Sequence, residues 1–217
     1  MRYQLEMQET SLHIGRVRQS SKFPFTCRIF EPCATACANL PSAIFPLGIS
    51  TAGTMPALTA YWKGYKEYRS DRMCSQLPAM WGFQAAGSAP IVKGKIVKNP
   101  NTIATAIRIG NPASWQQALD ARDSSGGIID AVTDKEILAA YHLIASKEGI
   151  FVEPSSAAGL AGLIKYQKAG KLPKNKTIVI TVTGHGLKDI PWALEGAKKP
   201  VVVPVNVKAA AKALGLS

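Results

Sequence analysis

The feature that most constrains the fold is a run of β-branched residues that ends at two glycines. Residues 177 to 189 read Thr-Ile-Val-Ile-Thr-Val-Thr-Gly-His-Gly-Leu-Lys-Asp. An uncharged run of Ile, Val and Thr predicts a strand buried on both faces, as in parallel sheets. Because ligands of open parallel sheets bind at the carboxyl ends of the strands, Thr183 lies where a bound molecule would meet it. The alternative is that Gly184 and Gly186 only form a tight turn.

Strand and helix patterns alternate before this run and predict an α/β fold: a mostly parallel twisted sheet flanked by helices. One predicted strand begins at Met80, and two others span Ile128 to Val132 and Ile150 to Val152. Helices are predicted for 58 to 68, from near Ser88, for Thr102 to Ile109 and for Trp115 to Ser124, the last of these capped by Ser114. The capping box Thr133 to Glu136 opens a further predicted helix that ends at Glu148. The last predicted helix spans Glu153 to Ala169 and is capped by a serine. The aromatic residues of 58 to 68 favour core packing over a stacking platform.

Composition excludes several classes of function. The chain has 217 residues and 47% hydrophobic content, enough for one sizeable core. It contains no apolar run of about 18 residues and no secretory leader, so we expect no membrane partner and a cytoplasmic location. Its four cysteines are too few for a disulfide framework, and Cys33 and Cys37 lack a second pair of ligands, so we expect no metal site.

The net charge of +12 favours a solvated basic surface over a nucleic-acid interface. Ten lysines from Lys165 onward, against Asp189 and Glu195, give 10 − 2 = +8, but they are scattered and not interleaved with aromatics. We therefore expect no nucleic-acid partner. Such a surface would attract a phosphorylated substrate.

The chain divides into three parts by pattern. Residues 1 to 57 show no sustained helical or strand period, so we predict an atypical, poorly ordered stretch that contributes little to stability. Residues 58 to 195 form the predicted α/β domain. Residues 196 to 217 form a basic C-terminal tail or helix.

A set of motifs in the α/β part resembles the C-terminal, large domain of the threonine synthases, which are fold type II pyridoxal-phosphate enzymes. The motifs are Thr59-Ala-Tyr-Trp-Lys-Gly64, Gly82-Phe-Gln-Ala-Ala-Gly87, Thr105-Ala-Ile-Arg-Ile-Gly-Asn-Pro-Ala-Ser-Trp115, Ser125-Gly-Gly127, Asp130-Ala-Val-Thr-Asp134, Glu153-Pro-Ser-Ser-Ala-Ala158 and Thr183-Gly-His-Gly-Leu-Lys-Asp189. Each motif is weak alone, but their order along residues 58 to 190 is specific. The threonine and serine dehydratases share only some of them.

The resemblance implies conversion of O-phosphohomoserine and water to threonine and phosphate by a cytoplasmic enzyme with pyridoxal 5'-phosphate as cofactor. It implies that the Thr183 hydroxyl meets the pyridine nitrogen and that Gly184 and Glu153 also line the cofactor. Glu153 has the alternative role of a first-turn carboxylate that favours the helix dipole. Arg108 and Asn111 are the candidate substrate-binding residues, although Arg108 is equally suited to a structural ion pair. A homodimer is also expected.

The catalytic residue is unknown, because the family's Schiff-base lysine motif and its glycine-rich phosphate cradle do not occur in this sequence. We therefore expect that the 217-residue chain alone does not make threonine. The codons for Tyr3 to Thr10, translated from the third base of each, permit Ser-Thr-Gly-Asn-Ala-Gly-Asn, and those for Thr54 to Ala57 permit Asn-Ala-Gly. Both resemble cofactor loops of the family. We hypothesise that residues 1 to 57 are largely an out-of-frame translation, which the coding DNA would test.

Two other functions remain open at the level of sequence. One is a threonine or serine dehydratase fragment, which would form an oxoacid from threonine. The other is a non-catalytic binding module that keeps the sheet without the chemistry.

Overall fold

The computed structural model describes residues 6–8, 11–13, 16–17, 27–30, 43–48, 55–174, 176–195 and 201–216, with side chains from residue 58 onward, Thr177 excepted. The strands are β1 Glu6–Gln8, β2 Ser11–His13, β3 Arg16–Val17, β4 Cys27–Phe30, β5 Ala43–Gly48, β6 Ala79–Ala85, β7 Ile128–Val132 and β8 Thr177–Thr181. The α-helices are α1 Met55–Ser70, α2 Pro90–Lys93, α3 Trp115–Ser125, α4 Asp134–Glu148, α5 Pro154–Lys168, α6 Ile190–Leu194 and α7 Val207–Ala213. Short 3₁₀ turns span Ala86–Ser88, Thr105–Ile107 and Gly186–Asp189.

Six strands form one sheet in the order β3-β4-β8-β5-β6-β7. All neighbouring pairs run parallel except β3 and β4, which are antiparallel, and β1 pairs with β2 in a separate antiparallel ribbon. The sheet places β8 between β4 and β5, with Ile178 opposite both Cys27 and Ile44. The predicted mostly parallel sheet is therefore confirmed.

Helices cover both faces of this sheet, which explains why β8 carries no charged residue. Ile178 and Ile180 pack with α4 and α5 on one side, whereas Val179 packs with α1 and α3 on the other. All three side chains are at most 1% exposed. Parallel sheets cannot leave a face in water when their connecting helices lie on both sides, so the uncharged run is the expected sequence for β8.

Several predicted elements have the predicted form. The aromatic residues Trp62 and Tyr65 of α1 are buried in the core beside α3. The capping box is present at α4: Thr133 Oγ1 accepts from the Glu136 amide at 3.3 Å, and the Thr133 amide donates to Glu136 Oε2 at 2.7 Å. Gly126 ends α3 in the left-handed conformation that glycine adopts without strain.

Four predictions about helices were wrong or incomplete. Thr102 to Ile109 is not a helix, because the Asp134 carboxylate and the Arg108 guanidinium hold this segment as a loop around the single turn Thr105–Ile107. The helix near Ser88 is only a 3₁₀ turn followed by the four-residue α2. Ser114 occupies the N-cap of α3, but its side chain makes no capping hydrogen bond. The N-cap of α5 is Glu153 instead of a serine, with Pro154 in the first turn.

The strand predictions also need correction at two places. Ile150 to Val152 is not a strand, because α4 ends at Glu148 with Gly149 as its C-cap and α5 begins at Pro154, and only Val152 forms an isolated bridge, with His185. No element was predicted before residue 58, yet β4 and β5 lie in the sheet on either side of β8. Pro46 interrupts the short apolar run of β5, and a proline argues against a central strand in sequence-based assignment. The other predictions for residues 1 to 57 fall largely outside the described residues.

A glycine in α5 allows that helix to lie directly on β6. A Cβ at Gly162 would lie 2.3 Å from the ring of Phe83, a fully buried side chain. We expect Gly162→Ala to lower the free energy of unfolding by about 1–3 kcal/mol through overpacking. The control is Gly64→Ala in α1, where a Cβ would meet nothing within 4 Å. This substitution should raise the free energy of unfolding by up to about 1 kcal/mol through helix propensity. Urea denaturation measures both, and equal effects would contradict this packing.

An ion pair joins the edge strand β7 to α5. Lys165 Nζ donates to Asp130 Oδ2 at 2.8 Å and to the Ala131 carbonyl at 2.7 Å. Burial raises the pKa of Asp130, but the bonds from Lys165 and from the Ala131 amide outweigh it, so this pKa lies below its usual value. The stabilisation from a carboxyl whose folded pKa is lowered is complete above its unfolded pKa and disappears as the pH falls through the folded pKa.

We therefore expect Asp130→Asn to lower the unfolding free energy at pH 7 by about 1 kcal/mol, because the pair is partly exposed and screened. The difference from the unmodified protein should shrink as the pH falls below about 4, the unfolded carboxyl value. Denaturation at several pH values measures it. Asp71→Asn is the matched control, since Asp71 is exposed and forms no ion pair among the described residues. A pH-independent loss in Asp130→Asn would contradict an electrostatic role.

Candidate functional site

The carboxyl end of β8 leads into a turn in which exposed and buried positions alternate. Val182 and Gly184 are buried, whereas the side chains of Thr183 and His185 are exposed. The sheet therefore ends with an exposed threonine at position 183. This is the position that open parallel sheets use for ligands, as the sequence predicted.

The first turn of α5 holds this segment by a single side chain. Ser156 Oγ accepts hydrogen bonds from the amide of Thr183 at 3.2 Å and from the amide of Gly184 at 2.8 Å. It also lies 3.4 Å from Thr183 Oγ1. Sequence analysis missed Ser156 as a site residue because a serine at a helix start is most simply interpreted as a cap.

Glu153 packs directly against Gly184. Its amide donates to the Gly184 carbonyl at 2.9 Å, and a Cβ at Gly184 would lie only 2.0 Å from the Glu153 carboxyl carbon. The residue is 7% exposed, and no described residue forms a hydrogen bond or ion pair with its carboxylate. The turn therefore carries a buried carboxylate with unused acceptors beside Thr183.

The residues after Gly184 attach the site to the loop that contains Arg108. His185 Nδ1 accepts a hydrogen bond from the Leu187 amide at 3.2 Å, so this histidine stabilises the turn backbone as an acceptor. The buried Asp189 carboxylate accepts from Thr105 Oγ1 at 2.8 Å. Burial and the negative charge of Asp189 raise the pKa of Tyr141. The Thr105 bond thus fixes one end of the loop to the β8 turn.

The two predicted substrate-binding residues are exposed in this loop. Arg108 donates from Nε and Nη2 to the Thr102 carbonyl at 3.1 and 2.7 Å, and it forms no ion pair among the described residues. Asn111 is exposed. The structure brings Thr183, Gly184 and Glu153 into contact, whereas no bond from Arg108 or Asn111 to those three residues occurs in the described part of the chain.

The described residues fit one end of a pyridoxal-phosphate ring. An exposed hydroxyl-bearing side chain at Thr183 is a suitable partner for a pyridine nitrogen, and the absence of a side chain at Gly184 makes room for the Glu153 carboxylate beside it. The described side chains include no group of three or more His, Cys, Asp or Glu placed to hold a metal ion. None of the described helices is long and apolar enough to cross a membrane.

Comparisons with known proteins identify the family of the chain. The family model of pyridoxal-phosphate dependent enzymes matches residues 41–184. A threonine synthase of Mycobacterium leprae is 51% identical over 173 residues, which cover 80% of this chain and 47% of the relative. A threonine synthase of Halalkalibacterium halodurans is 47% identical over 181 residues, 83% of this chain and 49% of the relative.

The solved structure of a fungal L-serine ammonia-lyase from Rhizomucor miehei has a TM-score of 0.53 with 19% identity, covering 74% of this chain and 54% of that chain. That likeness concerns the fold alone. The chain spans about half the length of the curated relatives it matches. The chain belongs to the family of pyridoxal-phosphate dependent enzymes, and within that family it is, over four fifths of its length, a relative of the threonine synthases.

Proposed function

We propose that this chain supplies part of the active site of a threonine synthase, which converts O-phosphohomoserine and water to threonine and phosphate. The observation that carries the proposal is the exposed Thr183 hydroxyl at the carboxyl end of β8, in a chain about half identical to threonine synthases over four fifths of its length. A cytoplasmic location and a homodimer are proposed from the same resemblance.

Pyridoxal phosphate supplies an electron sink for carbanion chemistry when it is bound. The chain's own contribution would be to hold the ring nitrogen with a neutral hydroxyl at Thr183. A neutral hydroxyl, unlike a carboxylate, does not stabilise a protonated ring nitrogen, so the ring withdraws electrons less strongly. This tuning favours elimination over transamination.

Glu153 and Gly184 are proposed as the other cofactor-binding residues. Gly184 lets the Glu153 carboxylate lie against the backbone next to Thr183, and no described residue forms an ion pair with it. Glu153 is the N-cap residue of α5, and its side chain makes no capping hydrogen bond, so the carboxylate is not used by the helix.

Arg108 and Asn111 are proposed to bind the substrate. The guanidinium has five N–H donors, and two of its nitrogens already donate to the Thr102 carbonyl, which fixes the side chain while Nη1 keeps its donors. A fixed guanidinium is a suitable partner for a phosphate or carboxylate. The exposed Lys93 at the end of α2, with Lys95 and Lys98 after it, adds positive charge that would attract a phosphorylated substrate.

The activity can be tested in a chimera that joins the preceding part of the Mycobacterium leprae relative to this chain. We expect phosphate release from O-phosphohomoserine with an equal amount of threonine. Thr183→Val should fold but lose roughly tenfold to a hundredfold in turnover, because one hydrogen bond to a buried polar partner is lost. Thr183→Ser, which keeps the hydroxyl, is the matched control.

The 217-residue chain with added cofactor is the second control and should not exceed the cofactor alone. Oxoacid and ammonia from threonine, without phosphate release from O-phosphohomoserine, would show a dehydratase instead. Full activity in Thr183→Val would contradict the role of this hydroxyl.

The contact between Gly184 and Glu153 gives a test of stability in the chain itself. Gly184→Ala places a Cβ on the Glu153 carboxyl, so the carboxylate must move, and the unfolding free energy should fall by about 1–3 kcal/mol. Glu153→Ala removes the clashing atoms. The double variant should therefore be more stable than the sum of the single effects by at least about 1 kcal/mol, as contacting residues are coupled. Additive effects in urea denaturation would contradict the contact.

A further inference from the structure

The hydrogen bonds around Ser156 fix the direction of one proton at the site. A serine hydroxyl has one proton to donate and two lone pairs that accept. Both lone pairs of Ser156 are used, by the amides of Thr183 and Gly184 at 3.2 and 2.8 Å. The contact of 3.4 Å between Ser156 Oγ and Thr183 Oγ1 can then have only one polarity: Ser156 donates and Thr183 accepts.

This polarity leaves the proton of Thr183 unused. No described residue accepts from Thr183 Oγ1, and the side chain is exposed at the carboxyl end of β8. The Thr183 hydroxyl is therefore available to a bound ligand as a hydrogen-bond donor. A ring nitrogen accepts such a bond only when it carries no proton.

We propose that Ser156 is a positioning residue, which makes the Thr183 hydroxyl a donor and so holds the cofactor's ring nitrogen in its unprotonated form. This inference rests on the proposed function. It assigns a role to a side chain that would otherwise be a backbone anchor for the turn. A Thr183 hydroxyl released from Ser156 could rotate, accept from a protonated ring and lose this selectivity.

The neighbouring serine provides a matched comparison. Ser155 and Ser156 are adjacent in the first turn of α5, and each is 3% exposed. Ser155 Oγ has no hydrogen-bond partner in the described part of the chain, whereas Ser156 Oγ has three contacts, all with Thr183 or Gly184. Replacing each by alanine therefore removes the same atom at the same burial, and only Ser156→Ala releases the Thr183 hydroxyl.

Other charges near the turn act equally in every variant. Glu153 lies against Gly184, His185 follows it, and Asp189 is held by Thr105 beneath the turn, with Tyr141 of α4 close to Asp189. These groups also influence the protonation of a bound ring. Because none of them is substituted, their influence cancels when two variants are compared.

The experiment uses the full 217-residue chain and pyridoxine 5'-phosphate labelled with ¹⁵N in the ring. This probe has no aldehyde, so it cannot react with lysines. Nuclear magnetic resonance of the ring nitrogen across a pH series gives the pKa of the bound ring, and titration gives its affinity. We expect the unmodified chain and Ser155→Ala to lower the ring pKa below that of the free probe. Ser156→Ala should raise it by about one unit, the effect of losing one oriented hydrogen bond.

A double variant separates positioning from a purely structural effect. In Thr183→Val the hydroxyl is absent, so adding Ser156→Ala should not change the ring pKa further. A further change of the same size in the double variant would overturn the proposal, as would an identical ring pKa in Ser156→Ala and the unmodified chain.

Two other outcomes also decide the question. If Ser156→Ala does not fold, the unmodified chain is compared with Thr183→Val instead. A ring pKa that is lowered only when the Thr183 hydroxyl is present supports a donor at Thr183. A ring pKa that is raised when this hydroxyl is present overturns the proposal. If no variant binds the probe saturably, the proposed cofactor site of this chain fails and the inference fails with it. Binding with an unchanged ring pKa overturns the inference alone.

Discussion

The structure depends on burying β8 on both faces. A strand in that position has no side that water can reach, so every residue of Ile178 to Ile180 needs a hydrophobic layer above or below it. The parallel arrangement supplies those layers, because the connections from β5 to β6, from β6 to β7 and from β7 to β8 each carry at least one helix across a face of the sheet. The same arrangement brings the carboxyl ends of β5, β6, β7 and β8 to one edge of the sheet. Core packing and the location of the site therefore follow from one constraint.

The turn after β8 shows how a polar site can be held at the edge of such a core. The two amides at Thr183 and Gly184 lie where strand pairing has ended, and an unpaired buried amide costs about 1–3 kcal/mol. Ser156 satisfies both from the next layer, which ties α5 to the turn. The Thr183 side chain itself stays exposed at this edge of the sheet. The bonds that stabilise the turn thus also determine which polar group is presented there.

The sequence predicted the parts of this structure that depend on local patterns. The buried strand, the capping box of α4 and the exposed Thr183 follow from β-branching, from the Thr133 to Glu136 spacing and from strand-end geometry. The predictions failed where long-range bonds decide the conformation. Helical spacing at Thr102 to Ile109 does not reveal that Asp134, far along the chain, holds the Thr102 hydroxyl and the Ile103 amide. The role of Ser156 was hidden for the same reason, since its partners are 27 and 28 residues away.

Hydrogen bonds attach the loop around Thr102 both to the helix that follows β7 and to the segment that follows β8. Asp134 is the first residue of α4, and its carboxylate at the positive end of that helix binds the loop through Thr102 and Ile103. The Thr102 carbonyl then fixes Arg108, and Thr105 binds Asp189 beyond the β8 turn. In a regular helix the backbone N–H and C=O groups bond to each other, so they would not take these side-chain partners. The loop is irregular because these bonds attach it to the segments that follow β7 and β8, and its own Thr102 carbonyl fixes the Arg108 guanidinium.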